Sequence, residues 1–205
     1  MIRNESFTAS CIAVLFMAAT FFAALLYLPQ FMQKQLGCSA LEAGLGMLPF
    51  LAVFALASFA AGPLYDRVGA KRLAVVGAAL ITLGPFLLSF LDEGSSYGAL
   101  IPGMVVLGIG AGSFIPTATT AGVTSVDESQ TSLAGGIVYM FQVAGGSIGL
   151  GLTTTVFSTA IPPFADGVQA AFRLDAALSL VGLLVAVAFV GGRLVGRPRA
   201  EREAS

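Results

Sequence analysis

The stretch Gly62-Pro-Leu-Tyr-Asp-Arg-Val-Gly-Ala-Lys-Arg-Leu73 decides how this chain is read. It joins two apolar runs and carries three of the ten basic residues. Gly62 permits close backbone approach, and Gly69 can take the positive-φ turn that a very short connection demands. Asp66 closes the first apolar run, where a carboxylate can accept hydrogen bonds from backbone N–H groups at a neighbouring helix start. Arg67, Lys71 and Arg72 mark their side of a membrane as cytoplasmic.

Outside this loop the composition is that of a polytopic membrane protein. Hydrophobic residues make up 57% and charged residues 10% of the chain, with a mean hydropathy of +0.91. A soluble domain carries about 25% charge. A net charge of −1 argues against a nucleic-acid partner. There is no histidine, and Cys11 and Cys38 fall in an apolar run and in a loop. A disulfide, a thiol–imidazole site and a metal site therefore lack support, and no cofactor is expected.

Charge-free stretches run over Ser6–Gln33, Ala43–Tyr65, Leu73–Leu91, Gly94–Val126, Ser129–Ala165 and Ala176–Gly192. Crossing the hydrocarbon takes about 20 helical residues. Pro102 and Pro162-Pro163 mark edges within the longer stretches. The pattern predicts an all-α bundle of six transmembrane helices near 9–33, 43–65, 73–91, 100–123, 131–158 and 172–192. Residues 1–192 form this membrane domain and 193–205 a polar, disordered cytoplasmic tail. The first apolar run is too long for a cleavable leader and lacks a small-x-small cleavage site, so it reads as a span. Six crossings place both termini on one side. With the basic loop inside, eight of the ten Lys and Arg lie inside, leaving Lys34 and Arg173 outside. Asp127 and Glu128 read as caps of the fifth helix, and Ser39-Ala-Leu-Glu42 as a capping box opening the second. In this reading every Asp and Glu lies in a loop or at a helix end.

Polar stripes mark the candidate site. The first helix aligns Phe16, Thr20, Ala23, Tyr27 and Gln30 on one face. Such a face lines a cavity or makes helix–helix hydrogen bonds. The second offers Met47, Phe50, Phe54 and Ser58, suited to packing or to varied apolar ligands. The fourth joins Gly108-x-x-x-Gly112, a close-approach pattern, to a hydroxyl stripe of Ser113, Thr117, Thr120 and Thr124 that is free to back-bond to its own helix. In the fifth, Gly135, Tyr139, Gln142, Gly146, Gly149 and Thr153 share a face, and Gln142 needs the protein interior or a wet cavity. The third and sixth helices have few polar side chains and read as lipid-facing. Polar first members and apolar third members in each set of three give a weak internal symmetry, as in inverted repeats.

The loop sequence Gly62-x-Leu-x-Asp66-Arg67-x-Gly69-x-Lys71-Arg72 resembles the signature loop of the major facilitator superfamily, with Ala70 where a basic residue is often found. Arg3-Asn4 before Phe7, the segment Gly37 to Pro49, and the run Gln142-Val-Ala-Gly-Gly-Ser-Ile-Gly149 appear in the expected order. Together they resemble the carboxyl-terminal six helices of the fourteen-helix drug:proton antiporters. The resemblance implies half of a rocking transporter that exports small amphipathic compounds from the cell membrane. It assigns gating to Gly62, Asp66, Arg67, Gly69, Lys71 and Arg72. The cavity candidates are Thr20, Tyr27, Gln30, Thr117, Thr120, Tyr139 and Gln142. The implied partners are membrane lipid, a small-molecule substrate, and an amino-terminal half or a second copy. Proton coupling at membrane depth needs an ionisable group there, which this reading assigns to the missing half. The alternative is a non-transporting fragment or partner subunit. An enzyme is not expected, because nucleophilic or metal catalysis needs a base or clustered ligands. A channel lacks a ring of charge or a filter loop.

Overall fold

The computed structural model describes residues 5–159 and 164–189. All regular structure among them is helical: α1 (Glu5–Lys34), α2 (Ala40–Gly46), α3 (Leu48–Val68), α4 (Ala70–Leu88), α5 (Tyr97–Val123), a 3₁₀ turn (Glu128–Gln130), α6 (Thr131–Thr159) and α7 (Phe164–Phe189). Six stretches are long and apolar enough to cross a membrane, with α2 and α3 together forming the second. The predicted tail, Arg3 and the Pro162-Pro163 edge lie outside the described residues.

Local chemistry sets the ends. The capping box is formed: Glu42 N–H donates to Ser39 Oγ at 3.3 Å, and Ser39 N–H donates to Glu42 Oε2 at 2.8 Å. The second crossing is interrupted at Met47, because Pro49 has no N–H and starts a fresh helix within its first turn. Gly69 has φ +88°, and the chain passes from α3 into α4 through this single residue. Its N–H donates to Tyr65 O at 3.0 Å, while its own carbonyl accepts from Leu73 N–H at 3.3 Å. Only glycine takes that backbone at no steric cost.

Two expectations need correction. Asp127 does precede the turn into α6, but its side chain makes no capping hydrogen bond. The turn is closed instead by its backbone carbonyl, which accepts from Gln130 N–H at 2.8 Å. The sixth crossing also begins at Phe164, eight residues before the predicted 172, because charge was read as a boundary and this helix carries charge inside it.

Packing divides the crossings into two groups. The first crossing, α1, packs against α6 and α7, the fifth and sixth; the fourth, α5, packs against α3 and α4, the second and third. The groups meet where α1 crosses α5 and where α4 lies along α7. Each three-helix set thus lends its first helix to the other set's second and third, the arrangement an inverted repeat produces.

Small residues let these helices close. A Cβ on Gly108 lies 2.9 Å from Phe50 O of α3, and one on Gly110 lies 2.6 Å from Ile81 N of α4. Gly145 and Gly149 of α6 meet Leu15 and Ala19 of α1 in the same way. The third crossing is therefore not simply lipid-facing. Leu73, Ala74, Gly77, Ala78, Ile81, Gly84 and Leu88 of α4 are buried, and a face of small residues without polar marks gave no sign of it. The second crossing is the least covered: Leu56 is 70% and Phe59 86% exposed.

Candidate functional site

The signature loop is a one-residue hinge between two long helices, which fixes its charges at the bundle end. Asp66 and Arg67 stand exposed in the last turn of α3, and Lys71 and Arg72 in the first turn of α4 are half-buried and exposed. Arg67 complements the α3 dipole. Lys71 and Arg72 oppose that of α4, at a cost of about 0.3–1 kcal/mol each. A pair of cations at a helix start does not serve that helix's stability. It leaves a basic rim suited to an anionic partner or headgroup.

Behind the rim lies a cavity of about 270 Å³, lined by Ala61, Gly62, Tyr65 and Asp66 of α3 and Pro116, Thr117 and Thr120 of α5. It brings the loop residues Gly62 and Asp66 together with two cavity candidates. A Cβ on Gly62 meets nothing within 4 Å, so within this chain Gly62 borders open space and makes no close helix contact. The Thr117 hydroxyl is buried without a hydrogen-bond partner among the described residues. Ser113 and Thr124 instead back-bond, to Ile109 O and Thr120 O.

The α1 candidates occupy another environment. Thr20 is fully buried and donates to the Asp175 backbone carbonyl of α7 at 3.2 Å. The Tyr27 hydroxyl donates to Thr154 Oγ1 of α6 at 3.0 Å, and its ring stacks tilted on Phe157. Gln30 is half-buried near the C-terminal end of α1. The fifth-helix stripe splits along its length: Gly146, Gly149 and Thr153 are enclosed, Gln142 is half-buried, and Tyr139 is 65% exposed. In the second crossing Phe50 and Phe54 pack on Phe21 of α1, with centroids 5.8 and 5.3 Å away. The sequence candidates therefore fall into the cavity between α3 and α5, an enclosed α1–α6–α7 junction and an open α6 face.

One residue was missed. Asp175 is completely buried within α7, and the expectation that every Asp and Glu sits in a loop or at a helix end is wrong for it. It lies eleven residues into the helix, about 16 Å from its start. The signal was present as spacing: Val168, Phe172, Asp175 and Ser179 share one helical face and all are buried, while Asp166 and Arg173 face out.

The Major Facilitator Superfamily profile matches residues 10–205. The chain belongs to the Major Facilitator Superfamily. Its curated relatives include the multidrug transporter protein MdtP of Bacillus subtilis, 27% identical over 158 residues, a match spanning 77% of this chain and 29% of that protein. The multidrug resistance protein Stp of Mycobacterium tuberculosis is 30% identical over 154 residues, spanning 74% of this chain and 28% of that one. The chain thus spans less than a third of the length of these relatives. Among solved structures, a bacterial homologue of the human drug peptide transporters PepT1 and PepT2 superposes with a TM-score of 0.81 at 22% identity, over 98% of this chain and 47% of that one. That likeness shows the major facilitator fold and nothing of the substrate. The six described crossings correspond to about half of it.

Proposed function

We propose that this chain acts as the carboxyl-terminal half of a fourteen-helix exporter of small amphipathic compounds, coupled to protons as an antiporter. The observation that carries the proposal is the similarity to multidrug transporters across three quarters of the chain. The open faces support it. Leu56 and Phe59 of α3 and Tyr139 and Met140 of α6 are more than half exposed, the surface an opposite half would cover. Charge supports an orientation in the cell membrane with both termini and the Gly69 hinge cytoplasmic. In that orientation Asp66 and Arg67 close the inner end by meeting a helix terminus of the other half, and rocking exposes the cavity beside Thr117 and Thr120. Lys71 and Arg72 contact anionic lipid. The exposed aromatic and Met side chains contact substrate by shape and apolar area rather than by charge.

The small share of each relative that the chain covers leaves room for a second reading, a non-transporting membrane fragment or partner subunit. One experiment separates them. The chain is placed in everted membrane vesicles alone, as two copies fused in tandem, and with a companion amino-terminal part of eight helices. Uptake of a fluorescent lipophilic cation is then followed under an imposed pH gradient. Gradient-dependent uptake in any of the three supports the exporter; none in all three refutes it.

A further inference from the structure

We infer that Asp175 is a proton-binding carboxyl, held neutral where α1, α6 and α7 cross, and that this crossing is built for the protonated form. The argument is a count of protons. Thr153 Oγ1 lies 2.8 Å from Gly149 O and 3.0 Å from Asp175 Oδ1. A hydroxyl has one proton to donate. If Asp175 is ionised, Thr153 reaches the carboxylate only by giving up its back-bond to Gly149 O, which keeps its intrahelical N–H, and the carboxylate then has that single donor. If Asp175 carries a proton on Oδ1, it donates to Thr153 Oγ1, which donates onward to Gly149 O, and both contacts are satisfied. Asp175 Oδ2 has no partner among the described residues. A neutral acid tolerates a bare carbonyl oxygen, whereas a buried carboxylate with one neutral donor does not.

Among the described residues the surroundings supply no compensating cation. On α7 itself Asp166 and Arg173 are exposed, and Arg173 donates to Gln169 Oε1 at 3.2 Å. From α1 the titratable groups are Cys11, the Tyr27 phenol bonded to Thr154, and at its ends Glu5 and Lys34. Lys34 Nζ sits over the Phe164 ring, 5.0 Å from its centroid, at the outer end. The α6 helix offers only Tyr139, 65% exposed. The part of α4 facing this region, from Ala79 to Phe86, is uncharged, and Lys71 and Arg72 lie in its first turn. Meanwhile the Asp175 backbone carbonyl accepts from both Thr20 of α1 and Ser179 of α7, at 3.2 and 2.8 Å. The residue thus ties α7 to both neighbours, and losing its proton strains the tie. Its link to transport rests on the exporter reading above; its protonation does not.

The test labels aspartate carboxyl carbons in the full chain in lipid bilayers and reads them by solid-state NMR against pH. The chain has five aspartates, and Asp66, Asp92, Asp127 and Asp166 are exposed. At pH 7 one neutral-acid signal is expected, absent in Asp175→Asn. The melting temperature of the wild-type bundle is expected to fall over the pH interval in which that signal disappears, and to stay flat in Asp175→Asn. Five ionised signals at pH 7 from the folded wild type, or a wild-type melting temperature indifferent to the loss of the neutral signal, overturn the inference. A neutral signal in a chain that moves no substrate upholds the proton site and counts against the exporter reading instead.

Discussion

Replacing Gly110 by alanine tests the packing of the bundle most sharply. The added Cβ falls 2.6 Å from Ile81 N, 2.9 Å from Gly77 O and 2.9 Å from Leu80 C. All three are backbone atoms, so no side-chain rotation relieves the overlap. Ordinary van der Waals contact begins near 3.4 Å, so α4 and α5 must part by the better part of an ångström along their crossing. Overpacking costs ~1–3 kcal/mol, and a backbone-only clash belongs at the upper end. We expect Gly110→Ala to destabilise by about 2–3 kcal/mol, roughly 30- to 150-fold in the folded-to-unfolded ratio. Gly77 faces the same crossing, where a Cβ lies 2.9 Å from Phe114 N. Once the helices have parted for one methyl the second costs less, so the double variant should fall short of additivity by about 1 kcal/mol. Gly136→Ala is the control: nothing lies within 4 Å, and helix propensity favours alanine by up to ~1 kcal/mol. Reversible unfolding in mixed detergent micelles reads the four variants against wild type. Gly110→Ala as stable as wild type, or indistinguishable from Gly136→Ala, refutes the α4–α5 crossing described here.

Two further outcomes rest on single contacts, and a third on the proposed gate and cavity. Ser39→Ala removes the capping-box acceptor and should cost about 1 kcal/mol in the same unfolding assay, with α2 the segment whose amide exchange accelerates. Tyr27→Phe loses the bond to Thr154 but keeps the ring on Phe157, so the loss should be only ~0.5–1 kcal/mol; a loss above about 3 kcal/mol contradicts that assignment. Asp66→Asn should impair gradient-driven uptake while leaving membrane insertion intact, whereas Gln142→Ala should alter which compounds are moved; normal rate and range in both variants leave the gate and cavity assignments without support.

The chain's segmentation was legible because a bilayer imposes length and apolarity on every crossing, and the capping box and Gly69 were legible because each is a local backbone requirement. Asp175 was not. Reading charge as a boundary puts Asp166 in a loop and Arg173 and Asp175 at a helix end, yet within one helix the first two point outward and the third inward. Only the neighbours Thr20 and Thr153, 155 and 22 residues distant in sequence, distinguish them. The polar face of α1 was legible as a face, but a stripe of hydroxyls does not say whether water, substrate or another helix covers it. For Thr20 and Tyr27 the cover is α7 and α6. The burial of α4 was hidden for the converse reason, since small apolar residues pack against lipid and against a helix alike.

The proposed orientation puts the Gly69 hinge on the cytoplasmic side and the Asp92–Ser96 turn on the outside. The direct measurement is labelling of intact cells with a membrane-impermeant thiol reagent, after Cys11 and Cys38 are replaced by alanine and a single cysteine is placed at Gly94 or at Ala70. Labelling at position 94 from outside, and at position 70 only after the membrane is opened, is the predicted result. Labelling at 70 in intact cells, or at both positions from the same side, contradicts it.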